Sequence, residues 1–571
     1  MKLSASIIGL TVCTIASIMI PQTSFAQSPK TFSSADSLRG SITPERAWWD
    51  LQHYTLDIKP DISNKTIAGK VAIRFKAIKV GKKMQIDLQQ PLIMDSVLYN
   101  HPNGKLLKIP FKRDSNAAFV ELPVAIPIGK MANIIVFYHG TPREAKRAPW
   151  DGGISWKKDS TGAPYVATSC QGLGASVWWP CKDHQYDEPE AGVNVNITVP
   201  DTLTAVSNGR LVKTTSNKDR TRTFSWQVKN PINNYGLSMN IGKYILINDS
   251  FKGEGGLLDL SYYILPTNKD AAIKQFAQVK TMLACFEFWM GKYPFYEDGY
   301  KLVDVPYLGM EHQSNVAYGN KYLNGYLGRD QSKTGWGLLW DFIIVHESGH
   351  EWFGNNITSK DIADMWIHEG FTTYTETLFT QWQSGTNAGN EYSVGLRKNI
   401  RNNSPIIGEY DVQNEGSGDM YPKGAAMIHN IRMAMNNDTA FRAMLRSMNK
   451  TFYHKTIITK DVELLMSKYA GFSLTKTFDQ YLRTTQVPSL EYYFSADGKA
   501  LFYRWIESVE GFDMPLMINL GNSMLRIQPK YKEWSNIQLT ATPINDLQMK
   551  ALVSYFYIQL MERKEMIIKV N

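Results

Sequence analysis

Two histidines four residues apart, with a glutamate beside the first, constrain this chain more than any other feature. Residues 346–350 read H-E-x-x-H. On an α-helix, residues i and i+4 lie on one face, so His346 and His350 can reach one metal ion. Glu347 can then contact a water beside that ion, and Glu369 follows on what we expect to be the next helix. The spacing predicts a metal site with one open position, and this donor set suits zinc best among divalent ions.

The length of the chain sets a multidomain architecture. Its 571 residues exceed what one core usually holds and indicate three or four domains. Hydrophobic content of 43% and charged content of 20% are typical of a globular protein. A net charge of +9 is modest at this length, and no Lys/Arg run carries interleaved aromatics. We therefore expect no nucleic-acid binding.

Residues 1–26 resemble a secretory signal peptide. Lys2 gives a positive start, residues 3–20 are apolar, and Ser24-Phe25-Ala26 is a small-x-small cleavage site. A membrane anchor is the alternative, but serines and threonines dilute the apolar stretch. No other segment is long and apolar enough to span a bilayer, so we expect a protein exported to the periplasm or secreted.

Three cysteines remain after the leader: Cys170, Cys181 and Cys285. A bridge between Cys170 and Cys181 is conceivable in an oxidising compartment, but the odd count also allows three buried thiols.

The fold class predicted from the patterns is multidomain α+β. Residues 27–248 form the predicted N-terminal antiparallel β domain, with a loose start up to about residue 45 and then runs that alternate apolar and polar residues. Residues 249–486 are mostly helical, with helices expected at 336–355, 362–384, 421–436 and 438–480. Residues 487–571 read as a small C-terminal β-sandwich, because short strands flank the turn Asp497-Gly498.

Three motifs, in order, resemble the zinc aminopeptidases of the aminopeptidase N and leukotriene hydrolase family, which are gluzincin metallopeptidases. Residues 308–312, L-G-M-E-H, resemble the exopeptidase motif G-x-M-E-N. The zinc motif is H-E-x-x-H, eighteen residues and then E, and residues 421–424, Y-P-K-G, resemble Y-E-K-G. Weaker similarity covers most of residues 45–560. The resemblance implies a thermolysin-like catalytic domain at 249–486, one Zn²⁺ per chain and peptide substrates with a free N-terminus.

The same resemblance assigns roles to the motif residues. His346, His350 and Glu369 would hold zinc, and Glu347 would act as the general base. Tyr421 would donate its hydroxyl to the oxyanion, although a packing role is the alternative from the sequence alone.

Substrate recognition falls to a second group of residues. Glu311 would pair with the free α-ammonium, with Gly309 and Met310 beside it, so that only the first peptide bond is cleaved. Gln171 resembles a glutamine that assists at the same amine, or is an ordinary buried amide. Glu376, seven residues past Glu369, would accept from a ligand histidine or be a solvated helix charge.

Several features depart from the family pattern. Leu308 and His312 replace the outer Gly and Asn of the exopeptidase motif, which changes the expected first side-chain pocket. Pro422 replaces a Glu, which we expect to shift the backbone near Tyr421. Longer members add a C-terminal helical domain that roofs the cleft. Here the sequence stops after the small β domain, so we expect a more open cleft or one covered by a partner subunit.

Two other functions compete with an aminopeptidase. One is a zinc endopeptidase, and the other is a non-catalytic peptide-binding scaffold of the same fold. The intact set of His346, Glu347, His350 and Glu369 argues against the scaffold. The preferred N-terminal residue and the oligomeric state stay open.

Overall fold

The computed structural model describes residues 31–539 and 544–563. The leader predicted at residues 1–26 lies outside these described residues. Within them, no helix combines the length and the apolar character needed to cross a membrane. The three cysteines that follow the leader are buried free thiols, so the conceivable bridge between Cys170 and Cys181 is not formed.

The first region is rich in β-structure, as the alternating pattern predicts. Its elements are α1 (Ser34–Gly40), α2 (Pro44–Ala47), β1 (Trp49–Asp61), β2 (Thr66–Ala77), β3 (Gly81–Asp87), β4 (Ile93–Asn100), β5 (Leu106–Ile109), β6 (Phe111–Asp114), β7 (Ala117–Ile126), β8 (Met131–Gly140), β9 (Gly153–Lys158), β10 (Pro164–Ser169), β11 (Val193–Pro200), β12 (Thr204–Val206), β13 (Arg210–Ser216), β14 (Thr221–Val228) and β15 (Asn240–Gly242).

The main sheet of this region has eight strands in the order β13-β14-β11-β1-β2-β8-β4-β5. Its pairs are antiparallel except β1 with β11, which run parallel. Every second residue of β11 is buried, so one face of the sheet packs on a core. The expectation of a loose start is wrong from Ser34 onward, because α1 and α2 form there. Ser33 and Asp36 form a capping box, and Arg39 pairs with Asp183.

The middle region combines a five-stranded sheet and a two-stranded sheet with nine α-helices among its described residues. Its elements are β16 (Ile245–Gly253), β17 (Gly256–Ile264), α3 (Lys269–Phe276), α4 (Val279–Met290), β18 (Tyr300–Asp304), β19 (Gly309–Met310), β20 (Val316–Tyr318), α5 (Phe342–Gly349), β21 (Ile357–Ser359), α6 (Trp366–Ser384), α7 (Thr386–Leu396), α8 (Pro422–Met435), α9 (Asp438–Thr451), β22 (Lys455–Ile457), α10 (Thr459–Ala470) and α11 (Thr475–Arg483).

The five-stranded sheet β16-β17-β18-β20-β19 supports the helices of this region, and the two-stranded sheet pairs β21 with β22. Two predicted helices differ from the structure. The helix predicted at 336–355 is α-helical only over α5, and the one predicted at 438–480 is three helices, α9 to α11, with β22 between the first two. The boundary predicted near residue 248 falls inside β16.

The last region is a small β structure made of β23 (Ser489–Phe494), β24 (Ala500–Ile506), β25 (Leu516–Asn519), β26 (Met524–Ile527), β27 (Ser535–Gln538), α12 (Asp546–Lys550) and β28 (Gln559–Glu562). Four strands form one sheet in the order β27-β24-β23-β28, and β25 pairs with β26. Its buried residues belong to the same hydrophobic core as the helices of the middle region. A separate core fills the first region and reaches residues of β18, β19 and β20.

Candidate functional site

The H-E-x-x-H segment occupies a short, firmly capped helix. Asp341 caps α5 by accepting from the N–H groups of Ile343 and Ile344. The same carboxylate accepts from the hydroxyl of Tyr318 and the side-chain amide of Asn320. The side-chain amide of Gln275 also donates to this carboxylate, so five donors fix the start of a helix of only eight residues, the helix that carries both histidines.

Three candidate ligand atoms converge between α5 and α6. Nε2 of His346 lies 3.6 Å and Nε2 of His350 lies 3.3 Å from Oε2 of Glu369. Two ligands bound tetrahedrally to one zinc at about 2.05 Å would lie roughly 3.3 Å apart. The structure thus brings together all three residues that the motif predicts as metal ligands.

Hydrogen bonds at the other ring nitrogens leave both Nε2 atoms with free lone pairs. Nδ1 of His346 donates to Oε1 of Glu376 at 2.7 Å, and Nδ1 of His350 donates to the carbonyl oxygen of Phe353 at 3.0 Å. In the neutral form of each ring the single proton therefore lies on Nδ1, and the Nε2 atom is then able to coordinate a cation. Glu376 is thus not a solvated helix charge.

The two oxygens of the Glu369 carboxylate have different surroundings. Its Oε1 accepts from the side-chain amide of Gln171 at 2.9 Å. Its Oε2 is buried and has no hydrogen-bond donor among the described residues. A buried anionic oxygen without a donor is costly unless a cation faces it. The residues present therefore fit a metal ion held by His346, His350 and Glu369.

The charge of the site also favours a cation. Burial disfavours the charged form of His350, yet the carboxylates of Glu369 and Glu311 raise its pKa to about 9. Burial raises the pKa of Glu311, and the neighbouring Glu369 adds to that effect. A site that stabilises extra positive charge to this extent is electrostatically suited to a divalent ion.

The carboxylate of Glu347 lies beside the candidate metal ligands. Burial raises its pKa to about 7, more than the two neighbouring histidines lower it. Ligand atoms of Glu311, Glu347 and His350 lie within 4.8 Å of one another. A Cβ at position 309 would lie 2.7 Å from Cγ2 of Ile343 and 3.2 Å from Oε1 of Glu347, so Gly309 lets the backbone of β19 approach the helix.

Glu311 and Gln171 meet at the site although 140 residues separate them in sequence. Nε2 of Gln171 donates to Oε1 of Glu311 at 2.7 Å, in addition to its bond to Glu369. Gly309 and Met310 form β19, the edge strand of the five-stranded sheet, and Glu311 follows it directly. The side-chain amide of Gln171 therefore joins Glu311 of the predicted exopeptidase motif to Glu369, a candidate metal ligand, by two hydrogen bonds.

The side chain of Tyr421 lies against the ring of His346. Its ring stacks against that of His346 with centroids 6.1 Å apart, and its hydroxyl contacts Glu369. Pro422 occupies the first turn of α8, where a missing N–H costs nothing, so the Pro that departs from the family pattern begins a helix.

Nine of the ten predicted site residues come from the middle region, and Gln171 comes from the first region. All ten line one cavity of about 310 Å³. The polar part of its wall holds the residues described above, together with Gln331, Thr373 and Asn399. Its apolar part consists of Pro149, Trp150, Leu308, Tyr326, Phe342, Ile343 and Leu396. Trp150 is 67% exposed, which is unusual for a tryptophan in a folded protein.

Three residues of the site were not identified from the sequence. His368 precedes Glu369 directly, and its buried ring has a pKa lowered to about 3 by burial. Tyr235 reaches the site from the first region and contacts Glu311. Trp150 lies at the cavity wall. The position of His368 inside the zinc motif was a usable signal, whereas nothing near Tyr235 or Trp150 in sequence points to this site.

Comparison with known families agrees with this geometry. The Peptidase M1 N-terminal domain matches residues 51–235, and the Peptidase family M1 domain matches residues 276–481. Among solved structures, the M1 zinc metallopeptidase from Deinococcus radiodurans superposes with a TM-score of 0.64 at 21% identity, covering 78% of this chain and 97% of that one.

Curated relatives agree as well. The puromycin-sensitive aminopeptidase of Caenorhabditis elegans is 23% identical over 78% of this chain and 48% of its own length. The leukotriene A-4 hydrolase of Xenopus laevis is 21% identical over 75% of this chain and 69% of its own length. The chain spans about half the length of several curated relatives that it matches. With both domain matches in order and the three motifs in one cavity, the chain belongs to peptidase family M1.

Proposed function

We propose that this protein is a zinc-dependent aminopeptidase that removes N-terminal residues from peptides. One observation carries the proposal. The carboxylate of Glu311 lies in the same cavity as the metal ligands, close to Glu347 and His350. A carboxylate at a fixed place beside the reacting atoms can hold a free α-ammonium, so that the first peptide bond alone is aligned for cleavage.

His346, His350 and Glu369 would hold the zinc ion. Two imidazole nitrogens and one carboxylate oxygen form a donor set of catalytic zinc sites, and family relatives named as zinc metallopeptidases support the choice of metal. When bound, zinc supplies the Lewis acidity that polarises the scissile carbonyl and acidifies the attacking water.

The chain's own residues handle the proton and the developing charge. Glu347, with its pKa raised to about 7 by burial, is suited to take a proton from the attacking water and deliver it to the leaving amine. The hydroxyl of Tyr421 donates to the oxygen on which negative charge develops. Burial keeps that hydroxyl protonated, because it raises the pKa of Tyr421 well above its usual value.

The cavity also indicates which peptides fit best. The free edge of β19 lies beside Glu347 and offers backbone groups to an extended substrate. The apolar wall that includes Leu308, Phe342 and the exposed ring of Trp150 favours a large apolar N-terminal side chain. We expect leucyl, methionyl and phenylalanyl substrates to exceed glutamyl and glycyl ones.

The direct test is the release of a chromophore from aminoacyl p-nitroanilides by the purified, zinc-loaded protein. Hydrolysis that requires both zinc and Glu347 supports the proposal. The variant Glu347→Gln should retain zinc, measured by metal analysis, and lose hydrolysis. Absence of hydrolysis with every member of an aminoacyl panel, with zinc bound, would overturn it.

The same assay separates the two rival functions. An endopeptidase would cleave N-acetylated peptides at interior bonds, whereas an aminopeptidase leaves them intact. A non-catalytic scaffold would bind peptides with a measurable Kd and cleave none. The position of Glu311 beside Glu347 favours the exopeptidase, because a carboxylate there blocks the path of a chain extending past the N-terminus.

We also infer that the protein acts outside the cytoplasm. The basis is the sequence of residues 1–26, with its positive start, apolar stretch and small-x-small site. Fractionation of cells that express the full chain should recover a mature protein beginning near residue 27 outside the cytoplasm. Recovery of the uncleaved chain in the cytoplasm would contradict this.

A further inference from the structure

The predicted amine-binding carboxylate is held by side chains from the first region. Gln171 donates to Oε1 of Glu311 at 2.7 Å, and the hydroxyl of Tyr235 also contacts this carboxylate. Tyr235 is only 4% exposed, in the turn before β15. Neither residue is near Glu311 in sequence, so the site depends on how the first region packs on the middle one.

The neighbour of Tyr235 fixes the direction of its hydroxyl proton. Nε2 of His368 accepts the backbone N–H of Ser359 at 2.8 Å. An imidazole that accepts at Nε2 carries its single proton on Nδ1. Nδ1 of His368 lies 3.4 Å from the hydroxyl oxygen of Tyr235, and the two rings stack with an interplanar angle of 20°.

The chain of donors then has one consistent arrangement. The Ser359 N–H donates to His368, whose Nδ1–H donates to the oxygen of Tyr235. The hydroxyl proton of Tyr235 is therefore free to point away from the imidazole and towards Glu311. We propose that Tyr235, oriented by His368, is a positioning residue that holds the Glu311 carboxylate in place to bind the substrate's ammonium group.

This arrangement has a physical consequence for recognition. Gln171 and Tyr235 are neutral donors, so neither of them supplies a positive charge that would compete with an ammonium group for Glu311. A carboxylate held this way loses little freedom when an ammonium binds, so part of the affinity for amines is built in beforehand. The inference rests on the proposed function only in assigning the ammonium to Glu311.

The test measures binding rather than turnover. Calorimetry of the zinc-loaded protein gives Kd for L-leucine, which carries the ammonium, and for N-acetyl-L-leucine, which lacks it. Tyr235→Phe removes one hydroxyl and should weaken L-leucine about tenfold while changing the Kd of N-acetyl-L-leucine by less than about twofold. Loss of a purely structural contact would weaken both ligands alike.

The control is Tyr244→Phe. The Tyr244 hydroxyl is buried in the same region and donates to the carbonyl of Asp304 at 2.8 Å, away from the cavity. The Tyr244→Phe variant loses one buried hydrogen bond of a tyrosine hydroxyl, as Tyr235→Phe does. It should leave the Kd of L-leucine and the Kd of N-acetyl-L-leucine unchanged. The thermal midpoints of the two variants show whether each one folds.

Two substitutions of His368 form a matched pair of variants. Both His368→Asn and His368→Leu lose the acceptor for the Ser359 N–H, but asparagine can place an N–H where Nδ1 stands. His368→Asn should keep L-leucine affinity within about threefold of wild type, whereas His368→Leu should lose about tenfold. The difference between the pair isolates the contact with Tyr235.

The outcomes separate this inference from the proposed function. If Tyr235→Phe binds L-leucine as wild type does, the positioning role is overturned whether or not the protein is a peptidase. If the wild type binds L-leucine, loses that affinity in Tyr235→Phe, yet hydrolyses nothing, the positioning role stands and the enzyme assignment falls. If wild type shows no preference for L-leucine over N-acetyl-L-leucine, Glu311 is not an ammonium site and both are overturned.

Discussion

Nδ1 of His346 lies 2.7 Å from Oε1 of Glu376, two turns beyond Glu369 on the same helix, α6. The other oxygen of Glu376 accepts from the hydroxyl of Tyr392 at 2.6 Å. Glu376 is therefore fixed at both oxygens and in turn fixes the ring of His346. A single helix thus supplies one candidate metal ligand and the group that orients another.

Removing this orienting group should weaken metal binding. Glu376→Ala leaves Nδ1 of His346 without an acceptor, and zinc affinity is expected to fall by roughly 10–100-fold. Competition with a coloured chelator measures the loss. Glu463→Ala is the control, because Glu463 is a buried glutamate on α10 that bonds Lys460 and Thr475 far from the cavity. Equal zinc affinity in the two variants would contradict the role of Glu376.

The sequence predicted the metal-binding part of the site because its geometry is local. The i, i+4 spacing of His346 and His350 places both rings on one helical face, and Glu369 needs only the following helix. Tyr235 could not be predicted in this way. Its contact with His368 joins residues 133 positions apart, and such a contact depends on the packing of two regions that have separate cores.

The helix boundaries also separate what local sequence predicts from what tertiary packing decides. The helix predicted at 438–480 ignores a break at residues 452–458, where β22 pairs in parallel with β21. His454 in that break has a positive φ and lies against Phe295, stacked at 5.1 Å. The apolar spacing continues through the break, so the periodicity alone gave one long helix. The tertiary pairing of β21 with β22 overrides it.

Gly309 should tolerate no side chain. A Cβ at position 309 would lie 2.7 Å from Ile343 and 3.2 Å from the carboxylate of Glu347, so an alanine must push β19 away from α5. Gly309→Ala is expected to lower kcat/KM at least about tenfold, since small misplacements of reacting groups are costly. Gly418→Ala is the control, because a Cβ there meets nothing within 4 Å. Wild-type kcat/KM in Gly309→Ala would contradict this close approach.

Tyr421→Phe should affect turnover more than binding. The hydroxyl is assigned to the developing oxyanion, so its loss is expected to lower kcat by about 10²–10³-fold while KM changes little. Steady-state kinetics on an aminoacyl p-nitroanilide gives both constants, and zinc content should equal that of wild type. A rise in KM with unchanged kcat would show instead that Tyr421 only binds the substrate.

Glu188 should make stability depend on pH. The carboxyl is 8% exposed and its pKa is raised to about 7, chiefly by burial, although interactions with the side chains of Thr358 and Asn233 lower that pKa in part. The unfolded chain releases this proton near its ordinary pKa of 4.5. The stabilising contribution of protonated Glu188 is thus complete below about pH 4.5 and lost as pH rises through about 7.

Glu188→Gln removes this loss, because glutamine is neutral at every pH. The shift corresponds to about 3 kcal/mol of unfolding free energy, so the Tm of the variant relative to wild type should rise by about 2 °C between pH 5 and pH 9. Differential scanning fluorimetry at the two pH values measures this change. Glu463→Gln, which makes the same change at another buried glutamate, one that pairs with Lys460, is the matched control for the substitution itself. A constant Tm difference across the range would mean that Glu188 titrates alike in the folded and unfolded chain.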